Sequence, residues 1–241
     1  MPATLLGTWL SIGSPAIAEL AAEVGFDWVL LDLEHGCASE GAIPDQLRAC
    51  RGSKALPVVR IPSSAPDRIA RILDWGAGGV MAPHINSAAD ATAYVRAMRY
   101  PPDGCRGVSR SVRAYGYGLK SFQEQVKSCP PLFLAQIETS EAVRNIDAIA
   151  AVDGVDVLFV GPADLQHDLN ISGESELSYS GCLARVAGAA ASAGKQAGIL
   201  CRDVADLPSL INQGFRWIAV DSDLGLLRVG FQRAIRQGRE A

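Results

Sequence analysis

VLLDLEHG, residues 29–36, is an aliphatic run that closes on Asp32, Glu34 and His35. A short run of Val and Leu with no polar alternation suits a strand buried on both faces, as in a parallel sheet. Three other segments have the same form: PVVRIP (57–62), LAQIET (134–139) and VLFVGPADL (157–165). Parallel strands share one carboxyl edge, so this reading sets His35, Arg60, Glu138 and Asp164 along a single rim. Side chains two apart on a strand share a face, which pairs Asp32 with Glu34 and Gln136 with Glu138.

Outward from these segments the chain divides into eight β-like runs, each followed by a helical stretch. The runs are Leu5–Ile12, Trp28–Glu34, Pro57–Ile61, Gly79–His84, Leu132–Glu138, Val155–Gly161, Gln196–Cys201 and Arg216–Asp221. The helical stretches are Pro15–Val24, Ala42–Arg51, Pro66–Trp75, Ala88–Arg99, Glu141–Ala151, Leu177–Ala193, Val204–Gln213 and Leu224–Arg236. Ser14-Pro15 reads as an N-cap with proline in the first turn, and Gly25, Gly52, Gly76, Gly194 and Gly214 stand where helices should stop. Eight such units with no other domain-sized segment predict one (β/α)8 barrel over residues 1–241. The alternative, a doubly wound sheet, wants a phosphate-binding turn after its first strand, and Gly7-Thr8-Trp9 is not one.

Two connections, Tyr100–Phe122 and Pro162–Glu176, are long for a compact domain and are read as functional loops. The first carries Arg106, Arg110, Arg113, Tyr115 and Tyr117. Three arginines on one loop suit an anionic substrate, which makes Arg113 and Tyr115 candidate substrate contacts. A solvated or subunit-facing loop is the competing reading.

The 241 residues are 49% hydrophobic but only 6% aromatic, which predicts an aliphatic core. Net charge is −4 with no basic stretch, so nucleic acid is not an expected partner. No run approaches 18 uncharged apolar residues and the amino terminus lacks a basic start, so the expectation is a cytoplasmic protein without a membrane partner. Cys37, Cys50, Cys105, Cys129, Cys182 and Cys201 form no C-x-x-C pair. They read as free thiols rather than zinc ligands.

At the predicted rim, Glu138 and Asp164 offer oxygen alone. With waters and substrate oxygens they suit a hard divalent cation, Mg²⁺, Mn²⁺ or Co²⁺. The four lysines decide between two aldolase mechanisms. Lys54 and Lys195 precede strands, and Lys120 and Lys127 lie in and after the long loop. None stands at a strand's carboxyl end, where a Schiff-base lysine would have to be. Electrostatic stabilisation by a metal cation is the better fit. His35 with Asp32 reads as an acid–base pair, His84 as a supporting residue and His167 as a surface residue.

GFDWVLLDLEHG, PVVRIP, RYPPDGCRGV, QIET and VGPADL together resemble the HpcH/HpaI aldolase family of metal-dependent pyruvate aldolases, over about residues 6–227. The resemblance implies a (β/α)8 barrel that assembles as a homohexamer, a trimer of dimers that exchange their last helix. It implies that Glu138 and Asp164 bind the metal and that a 2-oxo acid chelates it. Arg60 would stabilise the enolate and Gln136 would touch the keto acid. His35 and Asp32 would form the acid–base dyad, and amides around Gly161, Pro162, Ala163 and Asp164 would hold the carboxylate. The implied reaction is reversible cleavage of a 4-hydroxy-2-oxo acid to pyruvate and an aldehyde. An oxaloacetate decarboxylase or CoA-thioester lyase on the same site, and a non-catalytic keto-acid-binding barrel, are the alternatives. SRSVRAYGYG and DLNISGE depart from the family pattern where the aldehyde half would bind.

Overall fold

The computed structural model describes residues 3–128, 130–172 and 178–240. Eight parallel strands close in sequence order into a barrel. They are β1 (Leu5–Leu10), β2 (Trp28–Asp32), β3 (Leu56–Arg60), β4 (Gly79–Ala82), β5 (Leu132–Ile137), β6 (Val157–Val160), β7 (Gln196–Cys201) and β8 (Phe215–Ser222). Helices alternate with them along the chain. All five glycines read as helix stops have positive φ, the conformation that closes a helix at little cost when no Cβ is present.

Alternation along each strand sorts residues into two layers. Val29, Leu31, Val59, Val80, Ala135 and Ile137 point outward and pack under the helices. Leu30, Val58, Met81, Leu134 and Phe159 point inward. The outer layer is aliphatic, as the composition predicts. The barrel interior is not: Trp9, Trp28, Phe159 and Trp217 pack on one another there, with ring centroids 5.4–6.5 Å apart. Small inward residues make the room. A Cβ on Gly7 would stand 2.2 Å from the Trp28 ring. Few aromatics overall therefore says little about where those few collect.

Three elements differ from the sequence reading. Pro162–Ser172 is a helix rather than a loop. Within Tyr100–Phe122, residues Arg113–Gly118 form 3-10 turns, and a helix missed from sequence runs Phe122–Ser128. The helix expected from Leu177 begins at Tyr179, capped by Ser178; residues 173–177 lie outside the described residues. Cys129 does too, and the other five cysteines are free thiols. The last helix, Asp223–Glu240, buries only Asp223 and Gly225 and leaves Leu224, Leu226, Val229, Phe231 and Ile235 exposed. Among the described residues, no helix is long and apolar enough to cross a membrane.

Candidate active site

The alternation that puts Leu30, Val58 and Leu134 inside the barrel continues to Asp32, Arg60 and Gln136. Asp32 and Arg60 are direct neighbours in the β2–β3 register, so their side chains meet at the rim. Arg60 Nε and Nη2 donate to the two Asp32 oxygens at 2.9 and 2.7 Å. Its Nη1 lies 2.7 Å from Glu34 Oε2, and the guanidinium sits 5.3 Å from the Trp9 ring centroid. A planar guanidinium gripped in this way has little freedom left. Burial pushes the Asp32 carboxyl upward in pKa, but Arg60 outweighs it, and the group is held below its ordinary range.

That depression carries a pH signature. The ion pair contributes stability above the unfolded carboxyl's range, about pH 4, and loses it as pH falls through the lower folded pKa. Asp32→Ala strands a buried arginine, and we expect it to destabilise by roughly 3–5 kcal/mol at neutral pH. Urea unfolding of both proteins should show the gap narrowing below about pH 4. A gap that is constant with pH would show that the pair is not its source.

Glu138 follows β5 and is 2% exposed. Its Oε2 accepts from Gln136 Nε2 at 2.5 Å and its Oε1 from the His84 backbone N–H at 2.7 Å. His84 Nδ1 approaches the same Oε1 at 2.9 Å, and His84 Nε2 lies 3.5 Å from Glu34 Oε1. Two polar ties hold the loop after β4 against the end of β5: Thr139 Oγ1 donates to Asn86 Oδ1, and Asn145 Nδ2 donates to the Asn86 carbonyl. His84 itself has φ 54°, a left-handed conformation that costs a non-glycine residue about 1 kcal/mol or more. It turns both backbone N–H and imidazole toward Glu138.

Asp164 comes from the first turn of helix Pro162–Ser172. That helix is anchored to the end of β5, because Asp168 accepts from the Ser140 amide at 2.7 Å. Gly161 leaves room for the Glu138–Gln136 pair: a Cβ would stand 2.7 Å from Glu138 Oε2 and 2.8 Å from Gln136 Nε2, so a larger residue would push both side-chain ends aside. Burial raises the Glu138 pKa, and the charges of Asp164 and Glu34 add to the rise, while His84 opposes it.

These residues fit a divalent cation. Asp32 and Glu34 are taken up by Arg60, whereas Glu138 is held in a dry position against the like charges of Asp164 and Glu34. A cation relieves that arrangement, and its oxygen donors suit a hard ion. Among the described residues no three His, Cys, Asp or Glu side chains converge as a complete cage.

Several predicted site residues are placed differently. The Asp32 carboxylate contacts Arg60 and the backbone amides of Glu34 and His35; none of these contacts is with the His35 imidazole. His35 is exposed on the loop after β2. Of the amides around Gly161–Asp164, that of Gly161 is spent on the Ile137 carbonyl, and Pro162 has none. Those of Ala163 and Asp164 lie in a helix's first turn, where backbone N–H groups have no intrahelical acceptor.

Arg113 and Tyr115 are not at the rim. Arg113 donates to the carbonyls of Trp75 and Leu47, which end helices and so lie at the amino-terminal end of the barrel. Tyr115 is buried and its hydroxyl meets that of Tyr100 at 2.6 Å. Both residues wall a cavity of about 840 Å³ whose floor includes Leu56 and Leu132, at the starts of β3 and β5. Their assignment as substrate contacts is therefore corrected for this barrel. We expect Arg113→Ala to cost about 2 kcal/mol of stability, as two carbonyls lose a charged donor. Thermal unfolding alongside an aldehyde panel checks this, and a changed aldehyde preference at full stability would reverse the assignment.

The sequence reading left Glu34 without a role and gave His84 only a supporting one. Glu34 was visible as the next inward residue after Asp32. His84 was not, because alternation from Met81 points it outward and only its left-handed φ turns it back.

Residues 5–229 match the family model described as HpcH/HpaI aldolase/citrate lyase. A hydroxypyruvate/pyruvate aldolase of Paraburkholderia phytofirmans is 40% identical, over 98% of this chain and 93% of that protein. A 5-keto-4-deoxy-D-glucarate aldolase of Escherichia coli O6:H1 is 37% identical, over 95% of this chain and 90% of that protein. The crystal structure of an HpcH/HpaI aldolase/citrate lyase family protein from Burkholderia cenocepacia J2315 superposes with a TM-score of 0.90. The two are 35% identical, and the match covers 98% of this chain and 95% of that one. Barrel and matches agree: the chain belongs to the HpcH/HpaI aldolase/citrate lyase family.

Proposed function

We propose that the protein is a divalent-metal-dependent aldolase that reversibly cleaves 4-hydroxy-2-oxo acids to pyruvate, or a related 2-oxo acid, and an aldehyde through an enolate. The observation that carries this reading is the fixed Arg60 guanidinium facing the same mouth as the buried Glu138 carboxylate. The names of the Paraburkholderia and E. coli relatives support the substrate class.

Glu138 and Asp164 would hold Mg²⁺, Mn²⁺ or Co²⁺. When bound, the cation supplies a Lewis acid that draws charge from the 2-oxo acid's oxygens. Arg60 aims N–H donors where the keto oxygen gains charge on becoming an enolate, and its rigidity means that no reorganisation is needed at that moment. Amides of Ala163 and Asp164 orient the acid's carboxylate. Gln136 fixes Glu138. His35, on its exposed loop, moves the proton at the aldehyde's oxygen. The lysines offer an amine-based route little: Lys54 and Lys195 precede β3 and β7, at the amino-terminal end of the barrel, and neither Lys120 nor Lys127 lies on a strand.

Assembly as a trimer of helix-exchanged dimers fits the exposed apolar side chains of Asp223–Glu240, and five free thiols suit a cytoplasmic setting. The test of function is pyruvate release from a panel of 4-hydroxy-2-oxo acids. Release that stops with chelator and returns with Mg²⁺, Mn²⁺ or Co²⁺ is the expected result. No release from any member would overturn the proposal.

A further inference from the structure

The arginine-bearing loop that misses the rim walls a cavity of its own. That cavity holds about 840 Å³, within the range of small-molecule sites. Leu56, Leu73, Met98 and Leu132 give it an apolar lining. Leu56 and Leu132 open β3 and β5, and those strands run on to Arg60 and Glu138. The cavity and the mouth therefore lie at opposite ends of the barrel.

The polar groups of this cavity are out of balance. Three arginines line it, and the one carboxylate among its lining residues, Asp103, is exposed. Arg99 and Arg106 have counter-ions of their own, Asp153 and Asp74, at 2.7 and 2.6 Å. Arg113 has two backbone carbonyls instead, and among the described residues no carboxylate lies within ion-pair distance of it. Burial disfavours its charged form, and the charges of Arg48 and Arg51 add to that. Its Nη1 lies over Gly76, another wall residue, where a Cβ would come within 2.6 Å of it. Further donors stand in the same wall. The Tyr100 and Tyr115 hydroxyls spend one hydrogen on each other, which leaves the pair a second hydrogen to donate. Arg106 Nε is buried without an acceptor among the described residues.

We infer that this cavity is a second ligand site, separate from the aldolase mouth, that takes a small organic monocarboxylate with an apolar body. The carboxylate supplies Arg113 with the counter-charge it lacks, and a hydrogen bond between ionised groups is about twice as strong as a neutral one. The apolar body covers Leu56, Met98 and Leu132, whose burial adds to the affinity. A second anionic group on the ligand finds no second unpaired arginine and meets Asp103.

Isothermal titration with phenylacetate and hexanoate, beside phenylacetamide and hexanamide as neutral counterparts, tests the site. Excess chelator in every titration keeps the acids off a cation at the mouth. We expect each acid to bind saturably, one per chain, with the amides at least about tenfold weaker. Arg113→Gln keeps a donor for the carbonyls but not the charge, and should weaken the acids at least about tenfold while changing the amides little. Ala114→Trp leaves Arg113 in place and sets an indole in the cavity beside it, so acids and amides should weaken alike. Absence of saturable binding up to about 10 mM would overturn the site. So would equal affinity for acids and amides, or acid affinity within about twofold of the parent in either variant.

Discussion

Glu138→Ala should lose turnover by more than about a thousandfold, the equivalent of the several kcal/mol that a cation supplies to a developing enolate. Asp164→Ala should do nearly the same. The two differ in cause of damage elsewhere. Glu138 is buried and accepts from Gln136 and His84, so its loss also leaves those donors without their acceptor. Asp164 is exposed at a helix start, so its loss should leave stability almost unchanged. Calorimetric titration with Mn²⁺ should show no binding in either variant, with native circular dichroism in both. Wild-type turnover in Asp164→Ala, or full activity in excess chelator, would remove the metal from the account.

Arg60→Ala is the second large effect. An enolate oxygen is more negative than the ketone it comes from, so a fixed guanidinium favours the transition state over the ground state. Losing such a donor costs on the order of 3 kcal/mol, a rate loss of about a hundredfold or more. Arg60→Lys should recover little of it, since a point charge cannot grip Asp32 through two parallel bonds and still reach Glu34. Metal affinity should change far less than turnover, because Arg60 contacts Asp32 and Glu34 rather than Glu138. Steady-state kinetics beside metal titration separates the two. A parallel loss of both would mean that Arg60 shapes the cation site instead of the enolate.

How much of this was legible in the sequence depended on how local the cause was. Strand alternation is a two-residue rule, and it set Asp32, Arg60, Gln136 and Glu138 on one rim from the sequence alone. The β2–β3 register then made Asp32 and Arg60 neighbours, which no single segment could show. That is why Asp32 was paired with His35, three residues along, and not with Arg60. Helix Pro162–Ser172 was missed because PADLQHDLNIS spreads its apolar residues without a clear face. Arg113 and Tyr115 were misplaced because a loop's chemistry does not say which end of a barrel it visits. Their anchors, the carbonyls of Trp75 and Leu47, belong to other helices. His84 turned on one backbone angle.

Solvent deuterium entry at C3 of pyruvate tests the central claim most directly, because it reports the enolate itself and needs no aldehyde. Proton NMR in D₂O should show the C3 signal disappearing with enzyme and Mn²⁺ or Mg²⁺. The signal should persist when chelator is added, and equally with Glu138→Ala or Arg60→Ala in place of the parent. Exchange that continues unchanged in excess chelator and survives loss of Glu138 would contradict a metal-assisted enolate at this rim.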